Sequence, residues 1–432
     1  MRIEALHLTN FRGFKDFKLE FPKSNALVLI GINGAGKSSI LDSINSFLNL
    51  FVEHLIHLKP SKPLRFPRLG LDVDDIYDGE DTSTLSSTFS HGSETQTFEI
   101  EILQSITHAS VYGFLAAIMH RQLREEPTSS LPILAYYPAN RLIHSLDSRA
   151  RSKPKAYDFT QFYAYQNAFA NGLIHYEDFL NWFRLEEDLE NEIISREDRS
   201  YVNPNLKTIR TALETFLSRL NVSEFSNLRV VRERRDSDYS FRSSITGSLE
   251  VDKAGVSLKI EQLSEGEKSI IMIVCDIARR LTIANPALDD PKTGYGIVLI
   301  DEIDNHLHPQ WQRRILPALT TTFPNCQFIT TTHSPQVLSN LQPEEIFVLN
   351  NGKISNNVSY SYGRDSNSIL YEFMGVEKRP EWMRQQLDHA FHLIDEGNTD
   401  AAKSAIEELK QFLGQNDPDI VRANTLLQFL YE

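Results

Sequence analysis

The segment Gly31-Ile-Asn-Gly-Ala-Gly-Lys-Ser38 has the residue types of a phosphate-binding loop. In such a loop, backbone N–H groups unobstructed by side chains wrap phosphate oxygens, a lysine reaches the outer phosphates, and the next hydroxyl serves a divalent cation. Lys37 and Ser38 take those two places, with Asn33, Gly34, Gly36 and Ser39 around the same anion. Two adjacent carboxylates, Asp301 and Glu302, end the apolar run that starts at Gly296. One carboxylate can hold Mg²⁺ through water while its neighbour polarises an attacking water as general base, and strand alternation would point the pair in different directions. Asp304 follows, and His333 closes Thr330-Thr-Thr-His, where a neutral imidazole would hydrogen-bond a terminal phosphate or orient the water. Loop lysine, Asp-Glu pair and histidine in this order fit hydrolysis of ATP with Mg²⁺, Glu302 and His333 being catalytic and Ser38 and Asp301 holding the metal.

The elements that must position these groups can be read from hydropathy patterning. An apolar strand over 26–30 runs directly into the glycine loop, and 38–51 reads as the helix whose N-terminus faces the anion. Strands over 2–8 and 17–21 surround the turn Asn10-Phe-Arg-Gly-Phe14, a proline- and acid-rich stretch over 59–97 reads as loops and short edge strands, and 97–103 alternates as a further strand. Residues 295–300, 327–331 and 346–349 are short apolar strands separated by helical stretches, which predicts a parallel sheet. The expected fold class is therefore α/β, a mostly parallel sheet with an antiparallel β lobe. The pattern is helical over about 145–220, with Phe179, Trp182 and Phe183 at core-like spacing, and again over 379–432. We divide the chain into 1–144 (first half of the head), 145–225 (helical insertion), 226–360 (second half) and 361–432 (helical docking unit).

Composition narrows the partners. The net charge of −14 opposes coating of nucleic acid by bulk electrostatics. The basic clusters at Arg149 to Lys155 and Arg229 to Arg235, and the acidic run Asp72 to Asp81, read as solvated loop faces. No apolar stretch approaches the roughly 20 residues that cross a bilayer, and the first residues alternate like a strand, so a cytoplasmic protein is expected without a membrane partner. The two cysteines, Cys275 and Cys326, lie beside apolar runs and read as reduced core residues. His306 and His308 precede Pro309 and read as interface or helix-start residues rather than a metal pair.

Leu263-Ser264-Glu265-Gly266-Glu267-Lys268 resembles the signature motif of ABC-type ATPases, and with the motifs above the chain is similar to the RecF, SMC and OLD group. The resemblance makes Gly31 to Ser38 Walker A, Ile297 to Glu302 Walker B, Asp304 the D-loop and His333 the switch histidine. It implies that Ser264, Gly266 and Glu267 reach ATP held by a second copy in a head-to-tail dimer or larger homo-oligomer, and that Arg12, in Leu6-His-Leu-Thr-Asn-Phe-Arg-Gly-Phe14, approaches the phosphates. No Q-loop glutamine is identifiable, although Asn140 and Arg141 occupy a suitable place. The turn Tyr137-Pro-Ala-Asn-Arg141, the aromatics of 179–183, and the ending from Tyr362-Gly-Arg-Asp-Ser366 resemble the PtuA-type ATPases of Septu and retron-associated phage defence. That narrower likeness implies a separate HNH nuclease as partner. Two alternatives stay open, a nucleotide-gated scaffold without essential hydrolysis, and a RecF-like repair ATPase acting on DNA, with DNA or RNA as further ligands.

Overall fold

The computed structural model describes residues 1–56, 71–103, 107–110, 113–139, 142–143, 160–169, 173–174, 176–221, 225–236, 243–350, 352–355 and 379–431. The chain forms two compact units, Met1–Asp365 and Ser366–Glu432. In the first, β1 (Arg2–Phe11), β2 (Phe14–Glu20) and β3 (Ala26–Gly31) lead into the long helix α1 (Lys37–Ile56). Next come β4 (Thr82–His91), β5 (Glu94–Leu103), β6 (Thr107–Ser110), helix α2 (Phe114–Glu125), β7 (Ile133–Tyr137), and the short parallel pair β8 (Leu142–Ile143) and β9 (Leu173–Ile174). Helices α3 (Tyr176–Arg196) and α4 (Pro204–Arg219) precede the antiparallel ribbon β10 (Phe225–Asp236), β11 (Ser243–Lys253) and β12 (Val256–Lys259). Helix α5 (Glu265–Ala284), β13 (Gly296–Ile300), the short helices α6 (Pro309–Gln312) and α7 (Ile315–Thr322), β14 (Cys326–Thr332), α8 (Pro335–Leu338), β15 (Ile346–Asn350) and β16 (Lys353–Ser355) complete it.

The central sheet has the order β16-β15-β3-β14-β13-β7, parallel throughout except for β16. Its inner strands β3, β13 and β14 are buried at every residue, the reason their sequences are continuous apolar or threonine-rich runs rather than alternations. The glycine loop leaves the sheet at the end of β3, between β15 and β14, and Asp301 leaves it at the end of β13, two strands further along, so sheet order brings two distant stretches of sequence to the same end of the sheet. A second, antiparallel sheet, β2-β1-β4-β5-β6, packs an alternating inner face that includes Leu85, Phe89, Phe98 and Ile100. Gln327 of β14 ties the two sheets together, accepting from the N–H of Ile3 at 2.8 Å and donating to its carbonyl at 3.1 Å.

Several boundaries differ from the sequence reading. The turn at the start is tighter, for β1 runs to Phe11 and β2 starts at Phe14. Arg12 takes φ +48° there, which lets the two strands pair almost to the turn. Within 59–97 the described part is largely the regular hairpin of β4 and β5 rather than edge strands, its threonine and serine content having masked a half-buried alternation. The helix after the glycine loop extends to Ile56. Phe179, Trp182 and Phe183 are buried, as their spacing predicted. Arg149 to Lys155, Asn140, Arg141 and the stretch from Tyr362 lie outside the described residues.

In the second unit, Glu381–Asp395, Thr399–Leu413 and Pro418–Tyr431 are helices that share a core of Met383, Leu387, Ile394, Ile406, Leu409, Ile420 and Leu427, among others. Asn398 caps the second helix by accepting from Ala401 N–H, and Arg379 donates to Asp417 just before the third and to Asp419 in its first turn. Trp382 and Phe412 stack edge to face while 54% and 71% exposed, and Phe429 is 85% exposed. No helix among the described residues is long and apolar enough to cross a membrane. Cys275 and Cys326 are free and buried, and burial pushes the Cys326 thiol up to about 12.

Candidate active site

Close packing dictates two of the loop's glycines, Gly31 and Gly36. A Cβ at Gly31 would lie 2.5 Å from the carbonyl oxygen of Leu349, so β15 and β3 could not pair with a side chain there. At Gly36, φ is +100° and a Cβ would fall 2.3 Å from the ring of Phe14, so the turn between β1 and β2 supports the loop from behind. The Lys37 side chain is buried and folds over its own loop, donating to the carbonyls of Gly31 at 2.9 Å and Ile32 at 3.1 Å. Burial lowers its pKa, while Asp301, Glu302 and Asp304 oppose that shift and mark where negative charge gathers. Asn33, Gly34, Ser38 and Ser39 lie on the same loop and first helical turn.

The hydroxyl of Ser38 donates to Asp301 Oδ2 at 2.9 Å, closing the gap between glycine loop and carboxylate pair. Hydroxyl and carboxylate are hard oxygen donors of the kind Mg²⁺ takes alongside phosphate and water. Asp301 still belongs to the sheet through its N–H, which donates to Tyr137 O at 2.8 Å. Glu302 does not. It adopts φ +46°, a left-handed residue after β13, which ends at Ile300, so strand alternation does not govern how the pair is placed. Thr331 of β14 holds this kink at three points: its hydroxyl donates to Asp301 Oδ1 and accepts from Glu302 N–H at 2.7 Å, and its carbonyl accepts from Ile303 N–H at 2.9 Å.

The next residues of both segments are similarly linked. Thr332 Oγ1 donates to Asp304 Oδ1 at 2.5 Å. Gln312 donates to the carbonyls of Leu307 at 2.9 Å and Asp304 at 3.3 Å, and accepts from Ser334 Oγ at 2.7 Å. Asp304 is thereby tied to the segment carrying half-buried His333, whose N–H donates to Asp304 Oδ1 at 3.4 Å. His308 caps α6, its Nδ1 accepting from Gln310 N–H at 3.3 Å, which is the helix-start role. His306 is exposed at φ +61°.

Ser264 caps α5, and its N–H donates to Glu267 Oε2 at 3.0 Å in a reciprocal capping box. Burial would raise the Glu267 carboxyl, but the Lys253 ammonium at 2.6 Å and the bonds from Ser264 outweigh it and hold the group below its usual range. Ser264 and Glu265 are exposed while Gly266 is buried, and a Cβ on Gly266 would lie 2.3 Å from the carbonyl oxygen of His306. The same glycine thus packs α5 against the Asp304 to His308 loop of its own chain. Deeper in α5, Asp276 accepts from Arg279, Arg280 and Tyr137, joining this helix to the end of β7 beside Asp301.

Arg12 is held by two carboxylates. It donates to Asp42 of α1 at 2.7 Å and to Asp75 at 2.6 Å, and these bonds outweigh burial and raise its pKa. Asp75 is buried, so the acidic run is not wholly a solvated face, since one of its members pairs with Arg12. Arg229 pairs with Glu250 and Asp252, and Arg232 with Asp188. Phe14, Thr331 and Gln312 escaped the sequence reading. Only Thr331 left a signal there, because a threonine run in a strand that must be buried needs partners for its hydroxyls.

A family model described as "AAA domain, putative AbiEii toxin, Type IV TA system" matches residues 26–339, from the first residue of β3 to just past α8. The retron Vc95 probable ATPase of Vibrio cholerae serotype O1 biovar El Tor is 30% identical over 407 residues, covering 86% of this chain and 78% of its own. The Septu protein PtuA of Bacillus mycoides (strain KBAB4) is 26% identical over 354 residues, covering 80% of this chain and 40% of its own. The SMC head domain from Thermotoga maritima aligns with a TM-score of 0.40 and 16% identity, over 82% of this chain and 98% of that one. Because the family match encloses the glycine loop, α5, the Asp-Glu pair and His333, the chain belongs to this AAA-domain family, as an ATPase related to the retron probable ATPases and to the Septu protein PtuA.

Proposed function

We propose that two copies of the chain, alone or within a larger homo-oligomer, close head to tail on two ATP molecules, hydrolyse them, and so regulate an HNH-type nuclease in defence against phage. The observation that carries this reading is the bond from Ser38 to Asp301, which joins phosphate loop and carboxylate pair into one hard-oxygen site beside Glu302. The loop N–H groups and Lys37 bind the phosphates, the ammonium exchanging the carbonyls of Gly31 and Ile32 for phosphate oxygens. Ser38 and Asp301 would hold Mg²⁺, which when bound would neutralise phosphate charge. Glu302 orients the attacking water and takes its proton, and His333 hydrogen-bonds the terminal phosphate.

Ser264, Gly266 and Glu267 lie at the start of α5, where free N–H groups and the helix dipole suit the phosphate held by the second copy. Asp304 lines the contact between copies, and Arg12 adds positive charge beside the phosphates. Exposed Trp382, Phe412 and Phe429 suit the C-terminal helices to docking the nuclease. The pairing of Arg229 and Arg232 with acids of their own chain favours a protein partner over direct capture of DNA or RNA.

Phosphate release and ATP binding by wild type, Lys37→Met and Glu302→Gln test the reading. Glu302→Gln should bind ATP yet lose about 100-fold or more in turnover, as removal of a general base does, and Lys37→Met should lose binding. Equal turnover in Glu302→Gln and wild type would overturn the catalytic assignment. Full control of the nuclease by a hydrolysis-dead Glu302→Gln would make ATP a ligand only.

A further inference from the structure

We infer that Thr331 is a positioning residue for the metal-holding and water-activating carboxylates, setting both through one hydroxyl. The inference rests on the hydrolytic reading above and adds to it a residue outside the loop, the Asp-Glu pair and the histidine.

Strand β13 gives up regular structure at Ile300, and the backbone groups of the next three residues, of which Asp301 and Ile303 are buried and Glu302 half-buried, need partners outside their own strand. Asp301 N–H finds Tyr137 O on one side, and Thr331 serves the other two N–H groups in succession. The hydroxyl takes Glu302 N–H and the backbone carbonyl takes Ile303 N–H, so two consecutive N–H groups face the same partner across a left-handed residue at 302. A glutamate at φ +46° is unfavourable in isolation, so surrounding bonds must hold it.

The same hydroxyl spends its single hydrogen on Asp301 Oδ1, leaving Oδ2 for Ser38. Each carboxylate oxygen of Asp301 thus receives a hydroxyl, Thr331 on Oδ1 and Ser38 on Oδ2, and its plane is held from both sides. Thr331 is 0% exposed, so water cannot replace its hydroxyl. Its role is to fix where Asp301 presents oxygen to the cation and which way the Glu302 carboxylate leaves the backbone.

Thr331→Val keeps the branched shape and deletes both bonds, whereas Thr331→Ser keeps the hydroxyl and loses a methyl. Three quantities should be measured on the full chain: kcat and KM for ATP, the Mg²⁺ concentration giving half-maximal ATP binding with Glu302→Gln in the background, and Tm. Thr331→Val should lower kcat about 10- to 100-fold, the size expected for lost hydrogen bonds to a charged group, with KM little changed, and should raise the Mg²⁺ midpoint several-fold. Thr331→Ser should restore most of both. Unchanged kcat and Mg²⁺ midpoint in Thr331→Val would overturn the inference. So would equal losses in Val and Ser variants that track a fall in Tm, the signature of packing alone. If wild type shows no turnover, the hydrolytic reading falls, and the Mg²⁺ midpoint alone decides for or against Thr331.

Discussion

Replacing Asp276 by asparagine leaves two buried guanidiniums without their counter-charge. Asp276, Arg279 and Arg280 are 5%, 3% and 4% exposed. The carboxylate receives Arg279 at 2.7 Å, Arg280 at 2.7 Å and the Tyr137 hydroxyl at 2.8 Å. Arg280 also donates to the carbonyls of Ala164 at 2.5 Å and Gln166 at 3.2 Å, so it cannot swing towards water without breaking those bonds. Removing one partner of such a group costs about 3–5 kcal/mol, because the remaining charge stays buried. At roughly 2–4 °C per kcal/mol for a large domain, Tm should fall by roughly 6–20 °C. Burial would raise the Asp276 carboxyl, but attraction to Arg280 and Arg279 dominates and holds it far below the ordinary range. Its contribution is therefore complete above the unfolded value of about 3.9 and is lost as pH falls below that value. Differential scanning fluorimetry from pH 7 down to pH 3 reads both effects, with the gap between wild type and variant narrowing on the acid side. A Tm drop below 2 °C at pH 7 would refute the reasoning, as it would mean the guanidiniums are solvated or paired elsewhere.

Other substitutions probe separate links. Gly266→Ala should destabilise a single head as well as impair closure, because its methyl meets the carbonyl of His306 within the same chain; a variant with unchanged Tm at a concentration too low for dimers would show that the contact yields freely. Gly36→Ala should abolish ATP binding, since the added methyl strikes the Phe14 ring at a positive φ, and isothermal titration with wild-type affinity would contradict the fit. Ile406→Ala should cost about 2–4 kcal/mol in the C-terminal helices, and hydrogen exchange on the full chain should show loss of protection over 379–431 while β3, β13 and β14 stay protected. Uniform loss across both units would contradict a core confined to the C-terminal helices.

Most of the site was legible because its chemistry needs particular residue types at short spacing. Gly31 to Ser38, Asp301-Glu302 and His333 could be read one motif at a time, and their order along the chain fixed their association. The parallel sheet was legible for a related reason, since strands buried on both faces cannot hide their apolar runs. The rest depends on contacts between residues far apart in sequence. Nothing near Glu302 announces a left-handed residue, because its conformation is held by Thr331 of another strand. Phe14 behind Gly36 and His306 against Gly266 are packing relations that no local pattern encodes. The hairpin β4 to β5 was blurred because Ser83 and Ser87 take inward places and bond to the carbonyls of Thr9 and Ala5, so a polar alternation replaces an apolar one.

The central claim is a shared site completed by a second copy, and the mass of Glu302→Gln in solution with and without ATP tests it most directly. The account predicts that Mg²⁺ and ATP drive this variant into a dimer or larger complex, and that adding Ser264→Arg, at the exposed start of α5, returns it to the mass seen without nucleotide. A mass that ignores both nucleotide and the Ser264 substitution would contradict it.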